Sequence, residues 1–221
     1  VCDWNKYSNY SNNLDIKNNI LYSINRSNLI VRNLSTNRDI NCSFSGTLRS
    51  YGRYAYSIAV DSSGSNLYVH NYKNLYRFSI GSNGCPNVNM ASRIYRSSWQ
   101  YSYGMKMHPS DDNIVYATSY YEHKLYKFTL NSSKSAFSSI ATVGRYGRNP
   151  STSSNVRMYY PRSLDIDETN SRIAVADYYK NSVQFFDLNL AFIKEIGGAS
   201  GTRMSGAHEA IRSIVTDASL T

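Results

Sequence analysis

One short frame recurs along the chain and constrains its fold more than any other feature. Tyr54-Ala55-Tyr56-Ser57-Ile58-Ala59-Val60-Asp61 and Tyr160-Pro161-Arg162-Ser163-Leu164-Asp165-Ile166-Asp167 both place a Tyr ahead of two alternating apolar residues and an Asp. The same register sets Tyr10 before Leu14 and Ile16, Tyr101 before Met105 and Met107, and Ala210 before Ile214, at intervals of 44, 47, 59 and 50 residues. Repetition at this period is the signature of an array of similar supersecondary units.

Each frame is followed by further short apolar segments. The second is Ile20–Ser23, Leu67–His70, Val115–Thr118 and Ile173–Ala176, and the third is Leu29–Leu34, Leu75–Ile80, Leu125–Leu130 and Val183–Leu188. A looser fourth is Ile40–Phe44, Ala91–Tyr95, Phe137–Val143 and Phe192–Ile196. Segments of this length, bounded by polar turns, read as strands, and no window carries a helical stripe for three turns. Four strands per unit is the arithmetic of a β-propeller blade. The expectation is an all-β chain, one propeller domain over 1–221, with antiparallel four-stranded units at about 10–46, 54–97, 101–144 and 160–197 and one extra strand at 210–217. Leu67, Val69, Val175 and Phe185 are expected in its core.

Composition supports that reading. The 21 Tyr favour strands, while 24 Asn and 35 Ser supply turns by bonding locally to the backbone. The longest aliphatic runs are three or four residues, far below the roughly 20 that cross a bilayer, so no membrane insertion is expected. A net charge of +9 leaves an anionic partner open, but no block of five like charges occurs. Cys2, Cys42 and Cys85 lack the C-x-x-C spacing of a zinc site and leave room for one disulfide. Five N-x-S/T sequons are what 24 Asn and 45 Ser plus Thr give by chance, so they say nothing of secretion.

The unit at 160–197 resembles an NHL repeat. Pro161, the alternation Leu164-Asp165-Ile166-Asp167, the strand Ile173-Ala174-Val175-Ala176-Asp177 and then Asn181-Ser182-Val183-Gln184-Phe185-Phe186 follow that family's pattern. The units at 54 and 101 keep the spacing without the Pro and the second-strand Asp. Gluconolactonase-like and YWTD propellers share the frame. The resemblance implies a six-bladed ring, so this chain is expected to be part of a longer polypeptide, with completion by another chain or a smaller or open ring as the alternatives.

Chemistry-bearing motifs are sparse. His70, His108, His123 and His208 show no metal-ligand spacing, Asp177 ends its strand as the family's Asp does, and neither Gly-x-Ser-x-Gly nor a phosphate-binding loop occurs. No catalytic residue, metal or cofactor is expected. The functional signal lies in the links before each first strand, rich in Tyr and Arg: Arg49–Tyr56, Trp99–Tyr103, Arg145–Arg148 and Arg157–Arg162. The column Tyr10, Tyr54, Tyr101 and Tyr160 repeats as scaffolding would. Two residues on, Asn12, Tyr56, Tyr103, Arg162 and Arg212 vary as a recognition surface would. Tyr56, Tyr103, Arg162 and Arg212, with Arg53 and Tyr159, are therefore the candidate partner-binding residues. The expected function is a non-catalytic binding or assembly module, outside the cell or on its surface, that contacts a protein, a glycan or further copies of itself. The alternatives are an RNA-binding NHL domain, with Tyr stacking on bases, and part of a metal-dependent lyase or hydrolase.

Overall fold

The structure, a computed structural model, describes residues 14–25, 28–42, 55–71, 74–87, 92–95 and 101–197. Arg53, Arg212, Tyr10, Tyr54 and the expected strand at 210–217 lie outside the described residues. The first unit contains β1 (Leu14–Lys17), β2 (Ile20–Asn25), β3 (Asn28–Asn33) and β4 (Arg38–Ile40). The second contains β5 (Ser57–Val60), β6 (Asn66–Asn71), β7 (Asn74–Ser79) and β8 (Ser92–Tyr95). The third is β9 (Met105–Met107), β10 (Ile114–Ser119), β11 (Lys124–Leu130) and β12 (Phe137–Val143). The long link that follows holds β13 (Arg145–Tyr146) and β14 (Arg157–Met158), and the fourth unit is β15 (Pro161–Asp167), β16 (Arg172–Asp177), β17 (Ser182–Asp187) and β18 (Phe192–Gly197).

Every unit is an antiparallel meander paired in sequence order. The first strands β1, β5, β9 and β15 neighbour one another in turn, so the four sheets stand side by side around an axis as propeller blades. No helix among the described residues is long and apolar enough to cross a membrane. The tight turns use the residues that tolerate left-handed backbone: Asn18 and Asn19, at φ 50° and 63°, close the hairpin from Lys17 to Ile20.

Blades pack through apolar layers. Ile58, Leu67, Val69 and Phe78 of the second blade meet Tyr22, Ile24 and Val31 of the first, while Tyr116 and Leu125 of the third meet Leu164, Val175 and Phe186 of the fourth. Strand-two tyrosines tether neighbours: the hydroxyl of Tyr22 donates to the carbonyl of Gly84 (3.1 Å) and that of Tyr116 to the carbonyl of Leu188 (2.8 Å). Burial pushes the Tyr22 phenol up to about 12, so it stays protonated and donates. A disulfide, Cys42–Cys85, joins the first two blades.

One core expectation needs correcting. Leu67, Val69 and Val175 are fully buried, but Phe185 is only partly so, with Lys194 Nζ lying 5.2 Å from its ring centre, and it is Phe186 that fills the core. Phe185 occupies the place of the partly exposed Arg77 in the second blade, and Phe186 that of the buried Phe78. Strand alternation leaves one of two adjacent aromatics on the other face.

Charge gathers at the axis. Asp15, Ala59, Lys106 and Asp165 hold equivalent positions in the four first strands, and the Lys106 ammonium reaches Asp15 at 2.9 Å and Asp165 at 3.5 Å. Burial alone would lower the Lys106 pKa, yet the two carboxylates outweigh it and hold it above the usual lysine value. The neutral, small Ala59 leaves Asp15 free to accept from the Val60 N–H as well (2.8 Å).

Candidate functional site

The links that enter β5, β9 and β15 and the turns that join strands two and three lie at the same end of the blades. Backbone bonds knit them: Tyr120 N–H donates to the Tyr101 carbonyl (3.3 Å) and Tyr179 N–H to the Tyr159 carbonyl (3.1 Å). Side chains repeat the connection between blades. Ser57 Oγ donates to the Ser102 carbonyl (2.9 Å), and Thr118 Oγ1 to the Arg162 carbonyl (2.8 Å). Gly104 makes the second of these approaches possible, since a Cβ there would fall 2.6 Å from the Leu164 nitrogen and 2.7 Å from the Arg162 oxygen.

This close packing carries three of the candidate residues into one group. The rings of Tyr56 and Tyr103 meet edge to face with centroids 5.5 Å apart, and the Arg162 guanidinium lies 4.9 Å from the Tyr103 ring and 4.8 Å from that of Tyr178. The Arg162 Nε is buried and has no acceptor among the described residues. Tyr159 lies further along the same layer, where Arg148 stacks on it at 4.4 Å and donates to its hydroxyl at 2.6 Å. Arg53 and Arg212 fall outside the described residues.

The layer is wider than the first-strand column alone. Tyr101 touches Tyr56 and Tyr121 (5.1 and 5.0 Å), and Tyr160 touches Tyr120, Tyr159 and Tyr179 (4.6, 4.9 and 5.2 Å). Tyr101 and Tyr160 adopt left-handed backbone, φ 53° and 62°, and these two members of the column bridge neighbouring blades at this face. Sequence reasoning missed the contribution of the strand-two turns, which bring in Tyr120, Tyr121, His123, Tyr178 and Tyr179. The signal was present as Tyr pairs directly after the second strand in two successive units.

Buried polar groups hold the long link against the fourth blade. Asp177 accepts the Tyr159 N–H through both oxygens (2.9 and 3.0 Å) and the Gln184 amide (2.9 Å). Lys180 pairs with Glu195 (2.8 Å) and donates to the Arg157 carbonyl (3.1 Å). Burial drives the Asp177 pKa up to about 7, against the hydrogen bond from Tyr159 and the charge of Lys180. His123 accepts the Tyr160 N–H at Nδ1 (3.1 Å), and burial lowers its pKa, which favours the neutral ring that can accept. Among the described residues, no three His, Cys, Asp or Glu side chains are grouped as a metal centre requires.

The arrangement suits recognition: open rings for stacking, hydroxyls at their tips, and guanidinium charge held in place by aromatic neighbours. No family model and no curated protein matches the chain. Among solved structures it is similar to a functionally unknown protein from Desulfotomaculum acetoxidans DSM 771, with TM-score 0.59 and 13% identity over 83% of this chain and 55% of that one. It is similar also to Kuenenia stuttgartiensis hydrazine synthase, with TM-score 0.56 and 13% identity over 86% and 50%. For apo AztD from Citrobacter koseri the TM-score is 0.50, with 10% identity over 85% and 47%. The chain spans about half the length of the solved structures it matches, and at these identities what it shares with them is the fold.

Proposed function

We propose that this chain is an NHL-like propeller segment serving as a non-catalytic binding module, which contacts a protein or glycan partner outside the cell through the face built from the links and the strand-two turns. The observation that carries the reading is the meeting of Tyr56, Tyr103 and Arg162, drawn from three blades, within one aromatic layer. Rigid rings and a guanidinium held by them lose little entropy on binding, which is why Tyr and Arg dominate recognition surfaces. The Cys42–Cys85 disulfide favours an oxidising compartment and so supports the extracellular setting.

The test is a variant that alters the face and spares the fold. Tyr103→Ala combined with Arg162→Ala should abolish signals that the wild type gives on a glycan array or an array of extracellular proteins, while the melting temperature moves by only about 2–4 °C. Array signals that survive in a variant of unchanged stability would sink the reading.

A further inference from the structure

We infer that the ligand of this face is an acidic carbohydrate polymer, its pyranose rings stacked on exposed tyrosines and a carboxylate received by Arg162. The inference rests on the binding reading above and adds the ligand's chemistry. Arg162 is its anchor. The guanidinium has rings for neighbours at 4.9 and 4.8 Å, enters no salt bridge among the described residues, and keeps a buried Nε–H without an acceptor. That Nε is closed to solvent and so to a ligand, whereas the terminal nitrogens are not among the buried atoms, and a carboxylate is the acceptor that fits a guanidinium best.

Around that point the open surface is aromatic. Tyr121, Tyr146 and Tyr179 are 56%, 56% and 52% exposed, and each touches Tyr159 or Tyr160 in the layer beneath. The exposed isoleucines Ile16, Ile140, Ile193 and Ile196 all lie in strands β1, β12 and β18, not in the links and turns of this face. Among the described residues the exposed large apolar side chains of this face are tyrosines, which present flat π-faces and hydroxyls that match the C–H face and hydroxyl rim of a sugar.

Charge density separates a glycan from a nucleic acid. A single strand offers a phosphate with each stacked base and is held by a groove rich in cations. Of the link arginines among the described residues, Arg145 and Arg157 are engaged by Asn155 and the Tyr146 carbonyl, while Arg148 and Arg162 stack on the tyrosines of this layer. Two guanidiniums set among many stacking platforms fit a polymer of sugars in which acidic groups are recognised one or two at a time.

Calorimetric titration with four probes tests the inference: hexagalacturonate, neutral cellohexaose, hexaglutamate and a uridine hexanucleotide. Hexagalacturonate should bind tightest, and Arg162→Gln should cost it about tenfold or more in affinity, the worth of one charge-assisted hydrogen bond, while leaving cellohexaose unaffected. Tyr179→Ala, a change at an exposed ring that spares the fold, should weaken both sugars. Tighter binding of hexaglutamate or of the nucleotide, with Tyr179→Ala still weakening it, overturns the acidic-glycan inference and leaves the binding face standing. Hexagalacturonate binding indifferent to both variants overturns the inference and the face together. Absence of binding by all four probes overturns the inference, and the face then stands or falls on the array experiment.

Discussion

Arg162 and Tyr103 occupy the same position in successive blades, two residues before Leu164 and Met105, and their side chains meet with the guanidinium carbon 4.9 Å from the ring centre. The repeat has thus placed a cation and a π-face at equivalent sites of neighbouring units and pressed them together. A double-mutant cycle with Arg162→Gln and Tyr103→Leu, followed by urea denaturation, should give a coupling of about 0.5–1 kcal/mol. Strict additivity would mean that the contact carries no energy.

Phe185 and Phe186 should behave very differently despite being adjacent. Phe186→Ala empties a fully buried site between the third and fourth blades and should cost about 3–5 kcal/mol, whereas Phe185→Ala, on the partly exposed face beside Lys194, should cost about 1 kcal/mol. Equal losses in a chemical melt would show the register of β17 to be wrong.

Replacing Cys42 and Cys85 by Ser should lower stability by about 2–4 kcal/mol, because the bond closes a loop between residues 43 apart and restricts the unfolded chain. Wild type melted with and without reductant supplies the check. A melting temperature insensitive to reductant would rule out the bond as a tether between the first two blades.

Asp177 should make stability fall as pH rises. Its folded-state pKa, about 7, lies above the unfolded value near 4, so the native state holds the proton more tightly. The associated stability is complete below about pH 4, declines from there to pH 7, and amounts to on the order of a few kcal/mol. Subtracting the pH profile of Asp177→Asn from that of wild type isolates this slope. A difference that rises with pH would show Asp177 to be charged throughout.

Much of the blade pattern was legible because each strand repeats its apolar residues in a fixed frame. The second strands, for example, run from Ile20, Asn66, Ile114 and Arg172, within a residue of their expected starts. Phe185 was misplaced because two aromatics in succession give hydrophobicity no way to choose a face, although alignment with Arg77 and Phe78 does choose. The Tyr120-Tyr121 and Tyr178-Tyr179 turns escaped because a turn's sequence does not say which link it will face. That depends on the sheets curling round a shared axis, a long-range result of packing. The Cys42–Cys85 pairing was undecided among three cysteines, because it depends on how the stretch just past β4 of the first unit meets the turn between β7 and β8 of the second, which is a result of blade packing.

The ammonium of Lys106, shared by Asp15 of the first blade and Asp165 of the fourth, sets a limit on how this array can grow. Duplicating the second unit, which carries Ala59 at the position of Lys106, would move Asp15 out of the ammonium's reach and leave its carboxylate without that counter-ion, a loss of about 3–5 kcal/mol when a buried pair is broken. Tandem expansion within that span, in evolution or in engineering, therefore escapes this cost only where the added unit brings a second lysine to the position of Lys106.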